Sequence, residues 1–342
     1  MEFNDFTLFN TFIKNKKIYL ICSILNFPVN EKNLDLNLSF DNRKININKF
    51  FNRRIEKDSH EPILILIYDI PLNNISNELI LTIDYKNKIF IKKLEEEKTD
   101  SKKFLTITTL FKDDYNLIPI FYDYYKNNGV DHFYLYYNGK INQNVRELIN
   151  KLNANDITLI EWDFKYWNSD YSKYKHNAQL GQMHDAIYRF GKEISKYMIF
   201  VDLDEYLMIP NQKTKIKKYL EDNKNITIFG FCNKWSTTID KKIPNKFPNK
   251  FLFGKKHEHG DRSKNIYKIE NINTIGIHGY SGSISYNVNN PIKKLDLDMY
   301  HFYNWTSLER EFEAKNTYSD DYIPNKNISQ NKLKYIRYFI KI

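Results

Sequence analysis

From residue 104 onward, short apolar segments alternate with longer amphipathic ones, and this alternation limits the possible folds more than any other feature of the sequence. The short segments are rich in β-branched and aromatic residues, as buried strands are, and the longer ones repeat apolar residues every three or four positions, as helices do. The predicted strands are Phe104–Phe111, Asp131–Tyr137, Ile157–Glu161 and Lys196–Asp202, and the predicted helices are Leu117–Asn128, Gln143–Asn153 and Ala178–Ser195. Strands that alternate with helices pair in parallel. The sequence therefore predicts an α/β fold whose mostly parallel sheet is covered by helices on both faces.

Residues 1–98 show strand patterns without helices between them. Short apolar stretches, separated by the turn-forming residues Asn, Asp and Pro, occur at Ile18–Leu25, Leu34–Phe40, Ile63–Tyr68 and Glu78–Tyr85. Several short strands at this spacing are typical of a small β-sandwich. The charged segment Leu94–Lys103 follows them, as a domain boundary would. We therefore expect a β-sandwich-like accessory domain at residues 1–98 and a larger α/β domain at residues 104–342.

The chain is basic, with 52 Lys and Arg against 42 Asp and Glu and a formal net charge of +10. Nucleic acid, an anionic membrane face and a phosphorylated substrate are the partners that fit such a charge. A general preference of the sequence for Lys, Asn and Ile explains the charge equally well. The net charge therefore does not choose among these partners.

Cysteine usage and hydropathy predict where the protein acts. Cys22 and Cys232 lie in apolar runs, where buried free thiols are expected, and this favours a reducing compartment. The first residues lack the pattern of a signal peptide, and no uncharged apolar run approaches the roughly 20 residues that span a bilayer. We therefore expect a cytoplasmic protein without a transmembrane segment. Peripheral membrane contact is possible through the basic, aromatic segment Lys332–Ile342, although a docked terminal helix is the alternative.

The strongest candidate site follows the predicted strand Lys196–Asp202. Five apolar residues precede Asp202, and Asp204 comes two positions later. Ligands of open α/β sheets bind outside the carboxyl ends of the strands, and alternate residues of an extended chain point to the same side. We therefore expect Asp202 and Asp204 to present both carboxylates to one ligand. Two carboxylates suit Mn²⁺ or Mg²⁺ that also binds a substrate diphosphate, and a solvated acidic turn is the alternative.

Four segments between about residues 104 and 320 resemble glycosyltransferase family 92 and the related family 2-like enzymes. In chain order they are Leu105–Asp114 with Asn128–Tyr136, Gln182–Arg189 before the acidic motif, Arg262–Glu270 with Gly276–His278, and Met299–Lys315. The resemblance implies a Rossmann-like GT-A fold. It also implies a metal-dependent hexosyltransferase that moves a sugar from a nucleotide-sugar, expected to be a UDP-sugar, to a hydroxyl of a glycan or glycoprotein, with inversion. The family resemblance also implies that nucleic acid is not a partner of this protein.

Individual residues acquire roles through this resemblance. The positions that match donor-binding residues of the family are Asp114, Gln182, Asp202 and Lys264, and those that match metal-binding residues are Asp202, Asp204, His278 and His301. Mn²⁺ or Mg²⁺ is the implied cofactor. His301 lies between Tyr300 and Phe302, so a histidine packed in an aromatic cluster is the alternative for that position.

The segment His257–Asp261 contains two histidines and two carboxylates. A zinc site normally takes three or four such ligands from stable elements, and this segment reads as a loop between turn residues. A loop that closes over the substrates is the preferred interpretation. Glu258 and Asp261 are then the candidates for a general base, with Asp240 as a competitor.

Two other functions compete with glycosyl transfer. A phosphotransferase of the haloacid dehalogenase type also has an Asp-x-Asp motif after an apolar strand, but its pattern continues to Thr or Val where this chain has Tyr206. A non-catalytic carbohydrate- or nucleic-acid-binding protein would use the positive charge and the 26 tyrosines. Salt-sensitive binding of nucleic acid without sugar transfer would distinguish the second alternative.

Overall fold

The computed structural model describes residues 6–24, 36–40, 43–44, 47–53, 63–70, 79–85, 88–94, 96–97, 101–166, 178–210, 214–238, 240, 242–278, 284–286 and 288–306. The segment Lys332–Ile342 and the part of the fourth family-like segment after residue 306 lie outside these residues. Within the described ranges, no helix combines the length and apolar character that a bilayer crossing requires.

The N-terminal strands form antiparallel sheets. They are β1 (Phe6–Lys14), β2 (Lys17–Ile24), β3 (Leu36–Phe40), β4 (Arg43–Lys44), β5 (Ile47–Arg53), β6 (Ile63–Asp69), β7 (Leu79–Tyr85) and β8 (Lys88–Leu94). Two four-stranded sheets result in the described part of the chain, in the orders β1-β2-β6-β5 and β4-β3-β7-β8. The four predicted strands correspond to β2, β3, β6 and β7. The sequence pattern missed β1, β5 and β8, because Asn, Lys and Arg interrupt their apolar residues.

The remaining described chain alternates strands with helices. The strands are β9 (Lys103–Phe111), β10 (His132–Tyr137), β11 (Ile157–Glu161), β12 (Ser195–Phe200), β13 (Glu205–Met208), β14 (Ile228–Thr237), β15 (Leu252–Phe253), β16 (Lys264–Lys268), β17 (Ile272–Thr274), β18 (Ser285–Tyr286) and β19 (Lys293–Phe302). The helices are α1 (Ile118–Asn127), α2 (Gln143–Leu152), α3 (Ala178–Asp185), α4 (Lys192–Ile194) and α5 (Ile216–Asp222), with a π-helical stretch at Ala186–Gly191. The predicted helix Ala178–Ser195 thus comprises α3, this stretch and α4.

The central sheet has the order β11-β10-β9-β12-β16-β14-β19-β13, and β15 pairs with β14. Strands β9 to β12 run parallel to one another, as do β14 and β19. Strands β16 and β13 run antiparallel to their neighbours. The predicted α/β fold with a mostly parallel sheet is therefore confirmed.

Local signals set the ends of the helices that flank the first strands. The α1 helix has Pro119 in its first turn and is followed by Gly129, whose φ of 92° lies in the left-handed region that glycine favours. The α2 helix begins after Asn142, whose side chain accepts a hydrogen bond from the backbone N–H of Val145 at 3.0 Å. The parallel pairing of β9 with β10, which α1 connects, places their carboxyl ends at the same edge of the sheet.

Each face of the central sheet carries its own hydrophobic core. One core joins Ile107 and Phe133 to α1 and α5. The other core joins Tyr134 and Met198 to α3, and it also includes residues of the first N-terminal sheet such as Ile65. One hydrophobic core therefore crosses the proposed boundary at residues 94–103, and the division of the chain into two domains stays a prediction.

Candidate active site

A cavity of about 470 Å³ opens where the strands β9, β10 and β12 end at one edge of the central sheet. Its lining residues are Leu110, Phe111, Lys112, Asp113, Asp114, Asn116, Asn138, Tyr166, Gln179, Asp202, Trp305 and Thr306. The carboxyl ends of parallel strands are where open α/β sheets bind their ligands. The cavity therefore lies where the sequence predicts the site.

Asp202 lies on the wall of this cavity, and both of its carboxylate oxygens have protein partners. Oδ1 accepts a hydrogen bond from Nε2 of Gln179 at 2.9 Å, and Oδ2 is 3.0 Å from Nζ of Lys264. About a fifth of the side-chain surface, 20%, remains exposed toward the cavity side. The carboxylate is therefore oriented by a neutral donor on one oxygen and a cation on the other, and it still reaches solvent.

Asp204 has a different environment, since its side chain is fully buried at 0% exposure. Its Oδ2 lies 3.2 Å from Nε2 of His301 and accepts a hydrogen bond from Oγ1 of Thr306 at 3.4 Å. Thr306 lines the cavity and Asp204 does not, so the Asp204–His301 pair lies directly behind the cavity wall. The antiparallel pairing of β13 with β19, which sets Glu205 opposite His301, brings the two elements together.

The expectation that Asp202 and Asp204 face one side as alternate residues of a strand is wrong. Strand β12 ends at Phe200, and the N–H of Glu205 donates to the carbonyl of Asp202 at 3.1 Å. The N–H of Asp202 in turn donates to Oε2 of Glu205 at 2.8 Å. Residues 202–205 therefore form a turn, in which the two-residue alternation of an extended strand does not apply.

Lys264 and Glu205 form a buried ion pair beside Asp202, with Nζ 3.2 Å from Oε2. Their side chains are 4% and 2% exposed. Burial raises the pKa of Glu205, and the Lys264 ammonium opposes this rise only in part. Burial alone would lower the pKa of Lys264, but Asp202 and Glu205 outweigh it and raise that pKa above its ordinary value. Lys264 is therefore held as a cation behind the cavity wall.

The predicted metal ligands fit a metal ion shared with a substrate only in part. In the described part of the chain, no three His, Cys, Asp or Glu side chains are arranged as a metal-binding group. Mg²⁺ or Mn²⁺ at a diphosphate needs only one or two carboxylates, because phosphate and water oxygens complete the shell. The 3.2 Å between Asp204 Oδ2 and His301 Nε2 is a hydrogen-bonding distance, so these two side chains contact each other directly. Of the predicted metal ligands, Asp202 lines the cavity, whereas Asp204 and His301 lie behind its wall, so only Asp202 is placed to bind a cation there.

The other predicted donor-binding and metal-binding residues lie in three different places. Asp114 lines the cavity at the end of β9, where a nucleotide contact is predicted. Gln182 is 1% exposed and donates from Nε2 to Oγ1 of Thr108, so it supports the sheet and does not line the cavity. His278 does not line the cavity either, and its carbonyl accepts a hydrogen bond from Oγ of Ser263 at 2.7 Å.

The candidates for the general base lie outside the cavity. Glu258, Asp261 and Asp240 are exposed, and none of them lines it. Asp261 Oδ2 lies 2.7 Å from Nδ1 of His257, and His259 Nε2 lies 3.1 Å from Oδ1 of Asn265. The side chains of the segment His257–Asp261 thus form two separate contacts and do not converge on one site.

Three of the cavity-wall residues that the sequence analysis missed are Gln179, Tyr166 and Trp305. Gln179 lies one helical turn before Gln182, so the same helix pattern contains the signal for it. Tyr166 donates from its hydroxyl to Oε1 of Gln179 at 3.0 Å. Trp305 is 3% exposed and stacks on Phe302, and its indole N–H has no hydrogen-bond partner among the described residues.

The sequence matches the family model described as Glycosyltransferase family 92 over residues 107–339. This match covers more than half of the chain and includes β10, α3, the acidic motif and β19. The chain belongs to glycosyltransferase family 92, which makes glycosyl transfer its class of reaction. No curated protein matches the sequence.

Several solved structures are similar over part of the chain. Residues 1–349 of TarS from S. aureus match with a TM-score of 0.27 and 9% identity, over 42% of this chain and 38% of that chain. HddC from Yersinia pseudotuberculosis matches with a TM-score of 0.32 and 12% identity, over 64% of this chain and 100% of that one. A CMP:2-keto-3-deoxy-manno-octonic acid synthetase complexed with CTP has a TM-score of 0.26 and 7% identity, over 49% and 75%. We derive no role for any residue from these likenesses.

Proposed function

We propose that this glycosyltransferase binds a nucleotide-sugar in the cavity at the sheet edge and transfers the sugar to a hydroxyl group. The proposed donor is a UDP-sugar. A glycan or glycoprotein is the proposed acceptor. The observation that carries the proposal is the placement of Asp202, which lies on the cavity at the end of β12 with Lys264 behind it. A carboxylate at this edge of an α/β sheet is suited to hold a cation on a bound phosphate.

The charge of the cavity supports a role for Mn²⁺ or Mg²⁺. Its lining residues include the three carboxylates of Asp113, Asp114 and Asp202 but, among charged amines, only Lys112. A nucleoside diphosphate is an anion, so these carboxylates would repel it without a compensating cation. Asp202 would hold such a cation, and Asp204 and His301 would join it only after a movement of the cavity wall at Thr306. A divalent ion on the diphosphate stabilises the negative charge of the leaving group.

The transfer breaks the bond between the anomeric carbon and the diphosphate oxygen, and it forms a bond from that carbon to the acceptor oxygen. The proton of the acceptor hydroxyl passes to a base. Asp113 and Asp114 line the cavity, whereas Glu258 and Asp261 would reach it only after a movement of their loop. Lys264 holds its positive charge behind Asp202, where it favours a departing anion. Inversion at the anomeric carbon belongs to the proposal through the family resemblance.

Thermal unfolding with nucleotides and metal ions tests the donor site. UDP, CDP and GDP are each added with Mn²⁺, with Mg²⁺ and with EDTA, and Mn²⁺ alone serves as the blank. We expect UDP with Mn²⁺ to stabilise the protein by about 2.7 kcal/mol when UDP is at one hundred times its Kd. Release of UDP from UDP-sugars, with and without candidate acceptors, then identifies the sugar.

Asp202→Asn is the variant that decides the role of the carboxylate, because it keeps the size of the side chain and removes its charge. Asp222→Asn is the matched control, since Asp222 is an exposed α5 residue that pairs with Lys218. The proposal requires that Asp202→Asn abolish the metal-dependent part of the stabilisation and that Asp222→Asn retain it. Equal stabilisation of both variants by UDP with Mn²⁺ would exclude Asp202 as a cation ligand.

A further inference from the structure

Strand β1 of the first N-terminal sheet contains a β-bulge at Phe9. Leu8 pairs with Cys22 and Asn10 pairs with Ile21, so Phe9 is an extra residue without an opposite partner on β2. A bulge redirects a side chain, and bulges are frequent next to active sites. Here it allows two consecutive residues, Phe9 and Asn10, to contact the same helix, α3.

Phe9 packs tightly against the elements that build one wall of the cavity. A Cβ atom added at Gly181 would lie 2.5 Å from the Phe9 ring, so only glycine permits this approach. The ring also stacks on Trp162, with centroids 5.9 Å apart, and meets the edge of Phe164 at 5.2 Å. Phe9 is 6% exposed and therefore fills the space between α3 and the segment after β11.

The α3 helix carries Gln179 and the segment after β11 carries Tyr166, and both side chains line the cavity. The indole N–H of Trp162 donates to the carbonyl of Ala178 at 2.9 Å and so fixes the start of α3. The Tyr166 hydroxyl donates to Oε1 of Gln179 at 3.0 Å, and Nε2 of Gln179 donates to Oδ1 of Asp202 at 2.9 Å. A continuous series of contacts therefore connects Phe9 to the carboxylate on the cavity wall.

Polar contacts hold the same strand against the helix in a fixed register. Nδ2 of Asn10 donates to Oδ1 of Asp185 at 2.7 Å, and Nζ of Lys14 donates to the carbonyl of Arg189 at 2.7 Å. Lys14 is 1% exposed, so its ammonium group depends on these partners and on Glu193 at 3.5 Å. Polar contacts thus attach β1 at Asn10 and at Lys14 to the helical residues 185–193.

We propose that Phe9 is a positioning residue of the sugar-donor site and acts on Asp202 through α3 and Gln179. The N-terminal sheet is then a structural part of the donor site and not only an accessory module. The ligand-binding part of this inference rests on the proposed function, whereas the effect of Phe9 on α3 does not.

Hydrogen–deuterium exchange tests the effect on the helix without any ligand. Phe9→Ala is compared with Leu66→Ala, because Leu66 is buried in the same sheet but, unlike its neighbours Ile65 and Ile67, does not belong to the core that contains α3. We expect exchange in residues 178–185 to become about tenfold faster in Phe9→Ala and to change less than twofold in Leu66→Ala. Equal acceleration in the two variants, or none in either, overturns the proposal. If Phe9→Ala does not fold, Gly181→Ala replaces it, because the added methyl group displaces the ring.

A double-mutant cycle on the affinity for UDP with Mn²⁺ separates positioning from general destabilisation. We expect Phe9→Ala and Gln179→Ala each to weaken binding about tenfold, and the double variant to bind no more weakly than Gln179→Ala alone. Phe9→Leu, which retains most of the apolar volume, should restore affinity to within about twofold of wild type. Independent, multiplicative losses in the double variant would refute transmission through Gln179. If the wild type does not bind UDP with Mn²⁺, the proposed function fails, and the exchange experiment alone decides the role of Phe9.

Discussion

Replacement of Lys264 by Met tests whether the buried ion pair behind the cavity stabilises the fold. Nζ of Lys264 lies 3.0 Å from Asp202 Oδ2 and 3.2 Å from Glu205 Oε2. Met keeps most of the volume and removes the charge. The Glu205 carboxyl, which is 2% exposed, then has no ammonium partner, whether it stays ionised or takes up a proton. Removing one partner of a buried pair costs about 3–5 kcal/mol. Asp202 adds little to this loss, because it keeps the hydrogen bond from Gln179 and some contact with water.

The expected result is a decrease of about 3–5 kcal/mol in the free energy of unfolding at pH 7. It is measured by equilibrium urea denaturation, followed by both tryptophan fluorescence and circular dichroism, since coincident curves are needed for a two-state treatment. Lys268→Met on the same strand is the control. Its partner Glu270, at 2.9 Å, is 61% exposed, and such a surface pair contributes less than about 1 kcal/mol.

A second substitution distinguishes the lost charge pair from a packing defect. In Lys264→Met with Glu205→Gln, the buried carboxylate has become a neutral amide, so we expect most of the lost stability to return. The reasoning is refuted if Lys264→Met stays within about 1 kcal/mol of wild type, or if the second substitution adds to the loss.

Three further substitutions have defined outcomes. Trp305→Phe removes an indole N–H that has no partner among the described residues and some buried volume beside Phe302, so it should lower the melting temperature and weaken UDP binding by calorimetry. Unchanged affinity would exclude a ligand contact. Gly181→Ala forces a methyl group to within 2.5 Å of the Phe9 ring and should lower the free energy of unfolding by about 1–3 kcal/mol, unless the ring moves freely. Burial raises the pKa of Asp131, but hydrogen bonds from Lys217 and two backbone N–H groups outweigh this and lower it. The charged form therefore stabilises the fold fully above the unfolded-state pKa of about 3.9 and loses this effect as the pH falls through the lower folded-state value. Asp131→Asn should destabilise the protein by about 2 kcal/mol at pH 7 and progressively less below about pH 4 in acid unfolding; a constant difference would contradict this.

The first half of the central sheet was predictable because its signals are local. The strands β9 to β12 are short segments rich in apolar, β-branched and aromatic residues, and the first three are separated by helices with apolar residues at regular spacing. The second half depends on pairing between distant segments. Strand β16 inserts antiparallel between β12 and β14, and β13 pairs with β19 almost one hundred residues later. The sequence of each strand contains no information about its distant partner. The hydrophobic pattern therefore predicted a mostly parallel sheet but not the complete order of its strands.

At the site, the sequence predicted where the acidic motif lies and missed how its carboxylates divide. The apolar run before Asp202 places it at the sheet edge in any α/β arrangement. The separation of Asp204 from the cavity depends on the turn at residues 202–205, which Glu205 closes through its own carboxylate. The residue pattern Asp-x-Asp is compatible with a strand or a turn. Contacts with Lys264 and His301, which are distant in the sequence, determine which of the two forms.

The resulting arrangement orients Asp202 from two independent directions before any ligand binds. Lys264 of β16 holds Oδ2 and Gln179 of α3 holds Oδ1, while Glu205 of the turn accepts a hydrogen bond from the backbone N–H of Asp202. A carboxylate whose two oxygens are both held loses little conformational freedom when it takes up a cation, so the binding energy is not spent on ordering it. Gln179 lies on α3, which packs in the core on one face of the sheet, whereas Lys264 lies on β16, a strand inside the sheet. Substitution of Lys264 should therefore lower stability as well as donor affinity, whereas substitution of Gln179 on the cavity wall should lower mainly donor affinity.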